Sequence, residues 1–259
     1  MNARVPRNLM LAGLLLAMTF VCCSLVGIKR NRPQLSVADQ FARAIADAVF
    51  ADENEIFDEL IPIDFSNDYL TWTIEGQDTL LHVLNWTDHP ERFSPGDSVV
   101  TWWGDTWVTV APELVEWLAA RDISANALQL RLEQLLGLPP DGSHTHVVHI
   151  RVNPKYLFRP SPDAEITDRV AELDLPSLAD SCHVAWYHET IIDSYFPPAY
   201  PWTRLGYTYD WGDEANEIGL SEFVIRKNST IHVIAKTPTL EFVTNNVKPA
   251  RDKGTVSRN

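Results

Sequence analysis

DSVVTWWGDTWVTV, residues 97–110, sets two β-rich runs on either side of Gly104-Asp105, a pattern that predicts a β-hairpin. The next stretch is helical. Pro112 suits a first helical turn, and Leu114, Trp117 and Leu118 place a helix up to about Arg121. A second helix follows Ser124, with Leu128, Leu132, Leu135 and Leu136 on one face, and Gly137-Leu138-Pro139-Pro140 stops it. Upstream, residues 69–75 (YLTWTIE) alternate as a strand does. Ser36 and Asp39 fit the start of a helix carrying Val37, Phe41, Ile45 and Val49 at helical spacing to about Ala51. Downstream, His146–Val152 is β-rich. Residues 154–180, with four prolines, read as a long irregular connection, and His183–Phe196 as a short helix. Two last strands, near Leu220–Arg226 and Thr230–Ala235, are joined by a turn at Lys227-Asn228-Ser229. The sum is an α+β fold, a single domain with helices early and a mostly antiparallel sheet.

Ahead of this domain lies LMLAGLLLAMTFVCCSLVGI, Leu9–Ile28, an uncharged run of 20 residues. As a helix it would span roughly 30 Å, the thickness of a bilayer's hydrocarbon. It is longer than a secretory core and lacks an Ala-x-Ala-like cleavage site, so an uncleaved single-span anchor is expected, with secretion after cleavage as the alternative. The expected organisation is an anchor or signal over 1–32, an acidic domain over 33–245 and a flexible tail over 246–259. The domain is placed outside the cytoplasm, in the periplasm.

Charge excludes one class of function. Five of the 21 basic residues and none of the 35 acidic ones fall in residues 1–32, leaving 16 against 35, a net −19, for the rest. Such a field repels phosphate backbones, and nucleic-acid binding is not expected. Cys182 is the only cysteine past the anchor, so no intrachain disulfide forms there, and a buried apolar role is expected for it.

Several features carry possible chemistry. His144 and His146 lie two apart, which on a strand puts both imidazoles on one face as a metal-ligand pair, with His183, His188 or Glu189 as a third ligand. Asp210-Trp211-Gly212-Asp213-Glu214 clusters oxygen ligands of the kind calcium takes, or forms a solvated turn. Exposed tryptophans among Trp86, Trp102, Trp103, Trp107, Trp202 and Trp211 would suit glycan stacking, and Asp210 with Glu222 a glycosidase's acid and base. Arg159 and Arg204 stand out as cations in an acidic domain, paired internally or meeting a ligand carboxylate.

A further feature is the block PWTRLGYTYDWG followed by GLSEFVIRKNSTIHVIA. It resembles the end of ADP-ribosyltransferase domains, in which a catalytic glutamate opens a strand. The resemblance implies that Glu222 orients the ribose, Tyr207 and Tyr209 stack on nicotinamide, and Arg151 or His149 holds the cofactor. Tyr207-Thr208-Tyr209 stands where that family carries Ser-Thr-Ser, and position 220 is leucine where a second glutamate is expected. LFRPSPDAEITD (157–168) and YPWTRLGYTYDWG (200–212) also resemble blocks of bacterial exported and membrane-anchored proteins of no known activity, over about the last 100 residues. That likeness implies export.

The leading expectation is a membrane-anchored extracytoplasmic domain that binds an envelope component, glycan or partner protein. Its contact surface is the aromatic loop 200–212, with Trp202, Arg204, Tyr207, Tyr209 and Trp211. The alternative is an enzyme, a metal-dependent hydrolase or a transferase, with Glu222, Asp210 and His188 as catalytic groups. A catalytic site requires His146, His188, Asp210 and Glu222 to converge in one pocket. A binding module requires an exposed aromatic patch.

Overall fold

The computed structural model describes residues 35–247. The hydrophobic segment, its basic flanks and the tail from residue 248 lie outside the described residues. No described helix is long and apolar enough to cross a membrane.

In chain order the elements are α1 (Val37–Ala48), β1 (Trp72–Glu75), β2 (Asp78–Thr87), β3 (Ser98–Val100), β4 (Thr106–Val110), α2 (Ala111–Ala119), α3 (Ala125–Leu135), β5 (His146–Val152), β6 (Leu157–Phe158), α4 (Ser181–Tyr195), β7 (Tyr207–Tyr209), β8 (Ile218–Ser221), β9 (Phe223–Ile225), β10 (Thr230–Pro238) and α5 (Thr239–Asn246). The fold is α+β. Its eight-stranded sheet is antiparallel throughout, in the order β3-β10-β5-β2-β4-β9-β6, with β1 beside the first half of β2. A separate ribbon joins β7 to β8.

The central strand β2 was not expected. DTLLHVLNWT shows no clean alternation because both of its faces are covered, and such strands read as apolar runs. Leu81 and Val83 enter one core with Val108, Val110, Ile150, Phe223 and Ile231. Leu84 and Trp86 enter a second core on the opposite face, beneath the leucines of α2 and α3 and Phe242 of α5. The leucine stripe expected after Ser124 is what fills this second core, with Leu128, Leu132 and Leu135 all buried.

Neither expected hairpin forms. The two exchange partners: β3 pairs with β10, and β4 pairs with β9. Thr101 explains the exchange. Fully buried in the link between β3 and β4, it donates N–H to Ser229 O at 3.0 Å and accepts from Asn228 N at 3.0 Å. Its hydroxyl donates to Arg226 O at 3.0 Å and accepts from Ser229 N at 3.0 Å. One link thus takes up the main-chain groups of the other, and the turn that would have folded β9 onto β10 is held open. Asn228 still occupies the left-handed region, at φ 62°.

Local signals at the helices hold. Ser36 caps α1, its hydroxyl accepting from Asp39 N at 3.1 Å and donating to the Asp39 carboxylate at 2.7 Å. Asp180 caps α4 by accepting from Cys182 N and His183 N, both at 3.0 Å. Cys182 corrects its expectation: it is exposed in the first turn of α4, away from either core.

Candidate functional site

The strands β2 and β4 stay paired for only two residues, Val83 opposite Val110 and Leu84 opposite Thr109. Beyond that β2 keeps to β5, β4 leans toward β9, and the ladder opens. At the fork the Asn85 side-chain amide donates to Trp107 O at 2.9 Å, taking the place of the next ladder bond. A cavity of about 610 Å³ opens there, within the range of small-ligand sites. Its walls come from β2 (Leu84–Thr87), β4 (Thr106–Thr109), the α3–β5 loop, α4 and the segment 200–209.

Tryptophans dominate the wall. Trp107, Trp186 and Trp202 pack mutually with ring centroids 5.8–6.2 Å apart. Two of them are fixed from behind. Trp186 Nε1 donates to Asp105 Oδ2 at 2.7 Å, and its ring meets Phe158 edge-on and His183 in a stack. Trp202 Nε1 donates to Pro160 O at 3.1 Å, and Tyr195 OH donates to Trp202 O at 2.6 Å. α4 supplies Trp186, Glu189, Thr190 and Asp193 at i, i+3, i+4 and i+7, one face of a helix. Glu189, Asp193 and Asp88 are exposed, forming an acidic rim.

Glu222 stands at the break between β8 and β9. Its N–H donates to Gly206 O at 2.9 Å, while its carboxyl has no hydrogen-bonding or ionic partner among the described residues. The side chain is half-buried, opening on the cavity, and burial alone pushes its carboxyl up to about 8. The unfolded chain would ionise it near the ordinary 4.5, so the folded state holds a proton that the unfolded state releases. The stability this group contributes is therefore complete below about pH 4.5 and lost as pH rises through about 8. Glu222→Gln cannot ionise. Its melting temperature should match the wild type near pH 5 and exceed it by several degrees near pH 8.5, a gain on the order of a few kcal/mol. A scan of melting temperature against pH for the two proteins decides it, and parallel curves would remove the buried proton. Glu113 behaves differently. Burial pushes it up to about 7, even though Ser221 N and the Thr109 hydroxyl donate to it.

The other sequence-predicted residues divide. Trp202, Tyr207 and Tyr209 line the cavity with Glu222. They do so as buried or half-buried walls, which corrects the expectation that loop 200–212 presents an exposed aromatic surface: Trp202 is 5%, Tyr207 1% and Trp211 6% exposed. Trp211 instead donates to Leu138 O at 3.1 Å and packs on Phe41. Arg204 is bound to the end of α1, donating to Val49 O at 2.7 Å. Asp210 is no partner of Glu222. It is buried in a two-pronged ion pair with Arg131, at 2.8 and 2.5 Å, and accepts from Gly212 N, so the acidic run is a hydrogen-bonded turn.

His188 is exposed on α4 and does not line the cavity. His146 opens β5, but His144 precedes the strand, so the shared face expected of the pair is missing. His144 lines the cavity, its ring 5.2 Å from that of Trp86, while His146 stays outside it and bonds the Thr145 hydroxyl at 2.8 Å. Among the described residues no three of His, Cys, Asp and Glu are grouped to hold a metal ion. The imidazoles that do meet are His82 and His149, at 2.8 Å across β2 and β5. Burial, with His82 and Arg151 nearby, pushes His149 down to about 4. Neither His149 nor Arg151, which pairs with Glu75, lines the cavity. Of the four residues required to converge, Glu222 alone reaches it.

No known protein family, curated protein or solved structure matches this chain. The cavity's chemistry is therefore the ground for a functional reading. Sequence reading missed Asn85, Asp105, Trp186 and Asp193; only the helical spacing on α4 pointed to two of them.

Proposed function

We propose that this chain is a ligand-binding domain, tethered outside the cytoplasm by the hydrophobic segment Leu9–Ile28, that takes a small envelope-side molecule into the cavity between β2 and β4. The observation that carries the reading is a tryptophan-walled cavity of about 610 Å³ with an unpartnered carboxyl on its wall. Natural cores close such forks with side chains, and a void of this size forgoes packing that ligand contacts would restore. Binding thus passes from the outer surface of loop 200–212 to its inner one.

A catalytic reading has one observation in its favour, a protonated glutamic acid beside tryptophans, the environment of a general acid. No second acid or base is joined to it among the described residues, and the wall's Asp88, Glu189 and Asp193 carboxyls stand exposed at the rim. Both Asp105 oxygens are occupied, by Trp186 Nε1 and Lys227 N, and Asp210 is held by Arg131. Binding needs only what the cavity already has.

Thermal shift on the full chain in detergent tests the proposal, with a panel of ammonium ions, saccharides, amino acids and carboxylates. One class should raise the melting temperature by several degrees, and Thr190→Trp, which plugs the mouth from α4, should abolish the rise. A panel that moves nothing, or a shift that survives Thr190→Trp, overturns it.

A further inference from the structure

The polar groups of the cavity wall are unevenly matched. Five carboxyl side chains line it, those of Asp88, Asp105, Glu189, Asp193 and Glu222, against one guanidinium, Arg92. Glu222 has no partner among the described residues. Most of the donors are turned away. Indole N–H groups of Trp86, Trp103, Trp186 and Trp202 are spent on Thr239, Thr106, Asp105 and Pro160, leaving Trp107 with a free one among the described residues. The hydroxyls of Thr109, Thr190 and Thr208 donate to Glu113, Trp186 O and Leu135 O. Arg92 and the hydroxyls of Ser194 and Tyr200 remain as donors, so five carboxyls and the aromatic faces outweigh them on this wall.

Three ligand classes can be weighed against that wall. An anion needs donors and would meet a ring of carboxylates. A saccharide needs donors and acceptors in similar number. A cation needs a carboxylate for its charge and electron-rich ring faces for its alkyl groups, and indole is the strongest of these faces. The exposed carboxylates at the rim would draw the same charge inward.

We propose that the cavity receives an organic cation of the ammonium type, its charged nitrogen at Glu222 and its alkyl groups against Trp107, Trp186 and Trp202. This rests on the cavity being a ligand site.

Choline and 3,3-dimethylbutan-1-ol share a shape and differ in charge, so calorimetric titration of the full chain with each isolates the cation. At about pH 8.5, choline is expected to bind at least about tenfold more tightly than the neutral alcohol, and Glu222→Gln to erase that difference. Equal affinities, or a preference for choline that survives Glu222→Gln, overturn the cation assignment and leave the cavity a ligand site. So does binding of a saccharide or carboxylate, sensitive to Thr190→Trp, with neither of these probes bound. Binding of nothing at all overturns both proposals.

Discussion

Arg159→Leu is expected to lower stability by about 3–5 kcal/mol, the range found when one partner of a buried charged network is removed. Its guanidinium is 1% exposed in the fold's interior and lies over the ring of Phe223. Nε donates to Glu165 O at 3.0 Å and Nη2 to Asp168 O at 2.9 Å, so the side chain holds the loop 160–168 by its backbone. The Asp168 carboxylate stands farther off, at 3.6 Å. That loop in turn offers Pro160 O to Trp202 and Ser161 O to His183 of α4, two supports of the cavity wall. Leucine would take the donor from both carbonyls, remove a buried charge from its partners and loosen both supports. Lysine keeps the charge without the fork, and Arg159→Lys should fall between wild type and Arg159→Leu. Denaturant melts of the three proteins check the order. A leucine variant within about 1 kcal/mol of wild type would contradict the role given to this residue.

Trp202→Ala is expected to cost a similar amount, about 3–5 kcal/mol, through lost packing and an enlarged void. Trp202 is 5% exposed and touches the rings of Trp107, Trp186 and Tyr187. Trp202→Phe should recover most of the packing while losing the bond to Pro160 O, at about 1 kcal/mol. The pair separates structure from recognition: the phenylalanine variant stays folded yet offers a smaller ring face, so its affinity for a cavity ligand falls more than its stability does. Melts and titrations on the same preparations decide the point.

What the sequence made legible was local. The cap at Ser36 and the leucine stripe of α3 depend on neighbours within a turn or two, and they read correctly. Pairing was not legible, because two turns can each satisfy a hairpin's sequence requirements while a distant residue decides which strands meet. Thr101, about 130 residues from the turn it captures, is that residue here. β2 escaped because a strand covered on both faces loses the period by which strands are recognised. The site escaped for a related reason. Glu222, Trp202, Tyr207 and Tyr209 were visible as chemistry in the last third of the chain, while Asn85, Asp105 and Trp186 acquire meaning only where β2 and β4 fork and α4 crosses the gap.

The central claim is that a small molecule occupies this cavity, and indole N–H resonances report it most directly. The chain has nine tryptophans, of which Trp86, Trp103, Trp107, Trp186 and Trp202 line the cavity, while Trp72 lies outside it against Phe65. Titrating the full chain with the panel member that gives the largest thermal shift should move the five cavity resonances to saturation and leave that of Trp72 in place. Movement confined to Trp72, or no movement with any member of the panel, would contradict a ligand site in the cavity.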